Sequence, residues 1–233
     1  MLNTLIQDIR FEFSDNKVLN PFSYNLNIQF SSYIKPSIEI KHRFSYSKNK
    51  GFDIRFFSGG ILFNRSALDI RYRMGSWTGN KDYNLEHPYF DRGINDKVFS
   101  KQVYIRDGGF KVITEVGQTN VWLAAINLES HIPFTKHIKL FADFGANDNS
   151  GVSGSAPIIF DAGITLSIIP NVFEIYWAGL VSGEIKKDLI ARNVDKLYER
   201  FAFKINLNAL NPINLIKNKT FIIKKKNADK RSY

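Results

Sequence analysis

Ile38-Glu39-Ile40-Lys41-His42-Arg43-Phe44-Ser45-Tyr46 carries apolar or ring-bearing side chains at its even positions and charged or hydroxyl side chains at its odd ones. A strand sends successive side chains to opposite faces, so this stretch predicts a strand with one apolar and one ionised face. The same two-residue period returns in Asn25-Leu26-Asn27-Ile28-Gln29-Phe30 and in Phe201-Ala202-Phe203-Lys204-Ile205-Asn206-Leu207-Asn208. Ile9, Phe11 and Phe13 oppose Asp8, Arg10 and Glu12. Phe52, Ile54 and Phe56 oppose Asp53 and Arg55, and Leu68, Ile70 and Tyr72 oppose Asp69, Arg71 and Arg73.

Working outward, the period predicts strands over Leu5–Phe13, Ser23–Tyr33, Ser37–Ser47, Phe52–Phe63 and Ala67–Gly75. It predicts more over Lys101–Arg106, Val121–His131, His137–Ala146, Ile158–Ile169, Val172–Leu180 and Glu199–Leu210. Asn20-Pro21, Lys48-Asn49-Lys50-Gly51 and Ile169-Pro170-Asn171 suit short hairpin connections. Gly75–Ser100 and Asn147–Pro157 read as longer loops, the first of a length usually reserved for function or for protrusion from a barrel. Val181–Tyr198 breaks the period and suits one or two helical turns, with Asn193 and Asp195 as breakers. The fold class expected is all-β and antiparallel: a transmembrane-type barrel or partial barrel of about ten to twelve strands with long loops.

Periodicity alone leaves the faces open. A soluble barrel or sandwich, binding an apolar ligand or a partner protein, would turn the apolar faces inward. A membrane barrel would turn them to lipid and pair the charges inside. Two features favour the second. The candidate strands run near the 9–11 residues that span a tilted barrel wall. Aromatics gather at strand ends (Phe22 and Tyr24, Phe30 and Tyr33, Phe44 and Tyr46, then Phe52), as interfacial girdles do. On this reading Arg10, Glu12, Glu39, Lys41, Arg43, Asp53, Arg55, Asp69, Arg71 and Arg73 form an internal charge network. Phe11, Ile28, Ile40, Ile54, Phe203 and Ile205 face lipid. Ile40→Arg is then expected to cost more than Glu39→Ala.

The 233 residues are enough for one β domain, and the chain holds no cysteine for disulfides or thiolate sites. Of the formal charge of +10, six units lie from Lys217 onward, where seven cations meet the single Asp229. That stretch, 217–233, reads as a solvated, disordered tail rather than a nucleic-acid arm. No apolar run is long enough for a transmembrane helix, and no signal peptide opens the sequence.

No catalytic pattern emerges. None of His42, His87, His131 and His137 has the H-E-x-x-H spacing of a zinc peptidase. Ser153 lies one residue out of a G-x-S-x-G elbow, and Asn147-Asp148-Asn149 lacks the EF-hand spacing. Gly59-Gly60 and Gly108-Gly109 open no helix and suit bulges or close packing. No cofactor or metal is expected, and the chain reads as a non-enzyme.

A series of motifs does carry a resemblance. In order these are Asn20-Pro21-Phe22-Ser23, Asp53–Gly59 (DIRFFSG), Gly75–Tyr83 (GSWTGNKDY), Ile105–Lys111 (IRDGGFK) and Gly117–Leu128 (GQTNVWLAAINL). Phe141–Gly145 (FADFG), Phe160–Ile164 (FDAGI), Ile168–Tyr176 (IIPNVFEIY) and Asn206–Pro212 (NLNALNP) follow. Together they resemble the C-terminal outer-membrane barrel region of large gluzincin metallopeptidases, similar to membrane alanyl aminopeptidases, of Gram-negative bacteria. The resemblance covers roughly Leu5 to Ile216. It implies that residues 1–216 are the C-terminal part of a larger barrel in the outer membrane. It also implies that they anchor or export a zinc peptidase domain, upstream or separately encoded, whose catalytic residues lie outside this sequence. The partners implied are the lipid bilayer and that domain.

Overall fold

The alternating stretches pair side by side into one antiparallel sheet. The computed structural model describes residues 5–47, 50–65, 69–77, 88–92, 98–148, 158–170 and 172–206. Its strands are β1 (Gln7–Asp15), β2 (Phe22–Phe30), β3 (Tyr33–Ser47), β4 (Lys50–Gly60) and β5 (Phe63–Asn64). β6 (Trp122–His131), β7 (Ile138–Asn147), β8 (Ile159–Ile169), β9 (Phe173–Val181) and β10 (Phe201–Ile205) follow. Among the described residues strand accounts for 56% and helix for 9%, so the fold is all-β. Each strand pairs with its neighbour in the order β1-β2-β3-β4-β6-β7-β8-β9-β10, with the short β5 against β3. Among the described residues the sheet is not closed.

Register carries each face across the sheet. One row runs Tyr24, Ile40, Phe56, Ile126, Phe144, Phe160, and every member is apolar or aromatic. The row beside it on the opposite face runs Ser23, Lys41, Arg55, Asn127, Asp143, Asp161, and every member is polar. The first face, here the outer face, leaves large side chains open: Phe11, Leu26, Phe44, Trp122, Ile126, Leu140, Phe144, Ile164, Leu166 and Leu180 are all exposed.

The inner face is covered by the chain between β4 and β6, which folds back over it. Two arms of this segment, residues 70–77 and 103–119, bond to each other through Tyr72–Thr119, Met74–Gly117 and Ser76–Phe110 backbone contacts. The core therefore has three sources. The sheet gives Phe57, Leu123, Ala125, Phe141, Ile159, Tyr176, Ala178 and Ala202. The segment gives Tyr72, Met74, Trp77, Val103, Phe110 and Val112. A helix, α1 (Gly183–Ala191), gives Ile185 and Leu189, one turn apart on one face.

Close approach requires missing side chains on the sheet. A Cβ on Gly145 would run into the Met74 side chain, and one on Gly59 would lie 2.5 Å from the Tyr72 ring. The Tyr72 ring is held by its hydroxyl, which donates to the Pro36 carbonyl at 2.7 Å, so it has little room to move aside. Gly59→Ala is expected to cost about 1–3 kcal/mol by overpacking. An unchanged denaturation midpoint would count against this packing.

The sequence reading needs correction here. Ala67–Gly75 is not a wall strand: its described part, 69–75, lies in the inserted segment with only isolated bridges at Tyr72 and Gly75. Its apolar Ile70 and Tyr72 are 1% and 2% exposed because they pack inward. Lys101–Arg106 is likewise no strand; a 3-10 turn, Val98–Lys101, precedes a single bridge at Gln102. The helical turns expected within Val181–Tyr198 are present, and Asn193, at φ 57°, ends α1 in the left-handed conformation that closes helices. Leu68, most of Gly75–Ser100, Ser153 and residues 207–233, with the tail, lie outside the described residues.

Candidate functional site

Among the described residues, the inner face carries two buried clusters of paired charge. The first lies under the inserted segment. Asp143 on β7 and Asp161 on β8 stand opposite each other in register, both 0% exposed. Two carboxylates so placed repel unless something cationic or hydrogen-donating meets them. The segment supplies it. Lys111 Nζ lies 2.6 and 2.9 Å from the two Asp143 oxygens. The backbone N–H groups of Lys111 and Val112 donate to Asp161 Oδ2 at 3.1 and 2.8 Å. Asn127 on β6 donates to Asp143 at 3.0 Å and to the Gly108 carbonyl at 2.9 Å.

Arg55 on β4 extends this cluster. Its Nε meets Glu39 at 2.5 Å, its Nη1 meets Asn127 at 2.7 Å, and its Nη2 meets the Asp107 carbonyl at 2.7 Å. The Gly109 backbone, at φ 76°, passes so close that a Cβ there would sit 2.5 Å from Asn127 Oδ1. Only glycine satisfies both conditions at that position.

The second cluster centres on Glu174 of β9, 3% exposed. Lys139 joins Glu129 at 2.6 Å and Glu174 at 2.7 Å. Tyr176 and Lys204 reach the other Glu174 oxygen at 2.8 and 3.2 Å, and Ser167 donates to the first at 3.2 Å. A cavity of about 630 Å³ lies between the clusters, lined among others by Arg43, Arg55, Lys111, Glu129, Lys139 and Glu174.

Chemically, the first cluster holds the segment to the sheet, and the second ties β6 through β10 to one another. Lys111, Arg55 and Lys139 are each at most 8% exposed and each has an acidic partner within 2.6 Å. Among the described residues no group of three His, Asp or Glu stands close enough to hold a metal ion. His131 Nδ1 faces the Gly51 carbonyl at 3.2 Å and His137 Nδ1 the Ser167 carbonyl at 2.9 Å, so the first ties β6 to β4 and the second ties the β6–β7 turn to β8.

The residues expected to form an internal network divide into three groups. Glu39, Lys41, Arg43, Asp53 and Arg55 stand together on the inner face, through Arg55–Glu39, Lys41–Glu39 at 2.6 Å and Arg43–Asp53 at 2.6 Å. Arg10 and Glu12 share that face by register, but on the edge strand they are exposed. Asp69, Arg71 and Arg73 pair among themselves on the inserted segment. Of the residues expected to face lipid, Phe11 and Ile28 are exposed and Ile40, Ile54 and Ile205 are half-buried on the outer face. Phe203 shares that face by register yet is 7% exposed, because Gln102 and Val103 run beside it and the Phe173 ring packs on it. Tyr33, expected at a strand-end girdle, is 0% exposed on the inner side.

Sequence reasoning missed Lys111, Asp143, Asp161, Lys139 and Glu174. The signal was present in β6–β9, where Asn127, Glu129, Lys139, Asp143, Asp161 and Glu174 alternate with apolar residues as Glu39 and Lys41 do. No match is found among known protein families or among curated protein sequences.

Proposed function

We propose that this chain is part of the wall of an outer-membrane β-barrel. Its outer face meets lipid, and its inner face holds a charged, segment-filled interior. It serves to anchor or export a metallopeptidase-like domain, upstream or separately encoded, and has no catalytic site of its own. The observation that carries the reading is the outer face: apolar and aromatic side chains run across the sheet, exposed on most of its strands and half-buried on β4, over an inner face of paired charges. A soluble sandwich buries such a face against a second sheet. Here the inserted segment packs on the polar side instead.

Turn lengths support the same reading. At one end of the sheet the connections between consecutive strands are short: 16–21, 48–49, 132–137 and 170–172. At the other end lie one two-residue turn, 31–32, and the three long connections, 61–121, 148–158 and 182–200. Membrane barrels have this asymmetry, with short periplasmic turns and long outer loops. Phe13, Phe22, Tyr24 and Phe44 cluster at the short-turn end, with Phe13 and Tyr24 stacked at 5.3 Å, as an interfacial girdle would. No helix among the described residues is long and apolar enough to cross a membrane, which leaves crossing by strands untouched.

Extraction decides between the readings. The protein is expected to stay in the membrane pellet after detergent-free lysis and carbonate washing, and to require detergent for release. A monodisperse, detergent-free monomer would overturn the proposal.

A further inference from the structure

We propose that the cavity on the inner face is a binding site for a polycarboxylate, carried by an acidic peptide or free as a small anion. Its lining comes from both flanks of the sheet. Lys41 and Arg43 on β3 and Lys204 on β10 are separated by five strands in the sheet order, yet all three line the same space of about 630 Å³. The sheet therefore curls round it. The cavity lies at the short-turn end, where Asn16 and Pro21 of the β1–β2 connection border it. The inserted segment contributes Tyr104, Ile105 and Lys111 to the lining.

The cavity has donors to spare, while its acids are largely taken up. Six cations line it, Lys41, Arg43, Arg55, Lys111, Lys139 and Lys204, with three carboxylates, Asp53, Glu129 and Glu174. Glu174 already accepts four bonds, from Lys139 and Ser167 on one oxygen and from Tyr176 and Lys204 on the other. Both Asp53 oxygens are held by Arg43, and Glu129 by Lys139. Three of the cations are not used up in this way. An ammonium carries three N–H donors. Among the described residues Lys41 gives one to Glu39 at 2.6 Å, and Lys204 gives one to Glu174 at 3.2 Å. Arg43 spends Nε and Nη2 on Asp53, which leaves Nη1 over. The side chains of Lys41, Arg43 and Lys204 are 51%, 34% and 31% exposed, so these spare donors are open to a ligand.

A ligand that fits must therefore bring oxygen acceptors and negative charge. The Arg43 fork matches a carboxylate, and the lysines add point charges. The donors stand on two flanks of the sheet, so a ligand with a carboxylate for each flank uses them all. Phe22, Ile54, Ile105 and Ile205 also line the space and suit its carbon skeleton. The volume lies within the range of small-molecule sites. A second pocket of about 210 Å³ shares Arg43, Lys139 and Glu174 with the first, and brings Lys136 and His131 to the same end. The side of entry, periplasmic at the short turns, rests on the barrel reading; the binding itself does not.

Calorimetric titration of the full chain in neutral detergent at low salt tests the site with two probes, the tripeptide Glu-Glu-Glu and citrate. Saturable binding of at least one is expected, with none of Lys-Lys-Lys. Tighter Glu-Glu-Glu assigns the site to an acidic peptide, and tighter citrate to a free anion. Lys41→Gln and Lys204→Gln should each weaken binding by roughly tenfold, and together by more. Both variants spare the fold, since Glu39 keeps Arg55 and Glu174 keeps Lys139, Tyr176 and Ser167. The β circular dichroism signal checks this. Lys186→Gln, exposed on α1 at the other end of the sheet, should change nothing. Absence of binding by both probes overturns the site. Equal weakening by Lys186→Gln also overturns it, because the net charge of +10 alone would then draw the anions in. Membrane partitioning is scored separately, so failure of the titration leaves the barrel reading to its own test.

Discussion

Asp143→Ala is expected to destabilise the folded chain by about 3–5 kcal/mol, the cost of leaving one member of a buried ion pair without its partner. Lys111 is 4% exposed and its ammonium lies on both Asp143 oxygens. With the carboxylate gone, the ammonium is left near Asp161, whose Oδ2 is already taken by two backbone N–H groups. The cheapest response is for the 103–119 arm to leave the inner face, exposing Arg106 and Lys111 to trypsin. Two readouts follow: a lowered denaturation midpoint, and cleavage within the arm at protease levels that spare the parent. The double variant Lys111→Met with Asp143→Leu removes both charges and should recover a large part of the loss, because apolar replacement of a whole buried pair is often near neutral. Equal resistance of Asp143→Ala and the parent would show that the pair does not hold the arm.

Ile126→Arg, or Ile40→Arg in the same row, should cost about 2–4 kcal/mol if that row lies near the bilayer midplane. Ile126 is flanked in register by Phe56 and Phe144 and is 43% exposed. In water an arginine there would be tolerated or would improve solubility; in hydrocarbon it must find water or a counter-charge. Folding into lipid vesicles measured by the heat-modifiable band shift separates the two, and unimpaired insertion of both variants would reverse the assignment of the faces. The comparison with Glu39→Ala changes once the partners are known. Among the described residues Glu39 is the only carboxylate on Arg55, which is 7% exposed. Its removal leaves that guanidinium with two neutral acceptors, so Glu39→Ala should cost nearly as much as Ile40→Arg rather than clearly less.

The wall strands were legible because a half-buried strand writes its two faces into alternate residues, and eight of the nine on the path begin and end within a few residues of where alternation puts them. β10 starts two residues after its expected start and is described only to Ile205. The inserted segment was misread for the same reason. Leu68, Ile70 and Tyr72 alternate with Asp69, Arg71 and Arg73 as a wall strand would. Alternation records that a chain is extended with unlike sides. It does not record whether the partner is a neighbouring strand or the face of a sheet. The buried clusters were half legible: charges on β3 and β4 stood out, but Asp143 and Asp161 acquire their meaning only when Lys111 arrives from 32 and 50 residues away.

The inserted segment also sets an order of assembly. It precedes in the chain most of the strands it binds. Lys111 waits for Asp143, Val112 for Asp161, and Thr114 for Asp188 of α1, at sequence separations of 32, 49 and 74 residues. Each contact closes a long loop before it returns any energy, and such non-local closures are slow steps. The filling and the second half of the sheet thus complete each other, after the local hairpins have formed. β7 and β8 cannot bury their aspartates until the segment is in place to receive them.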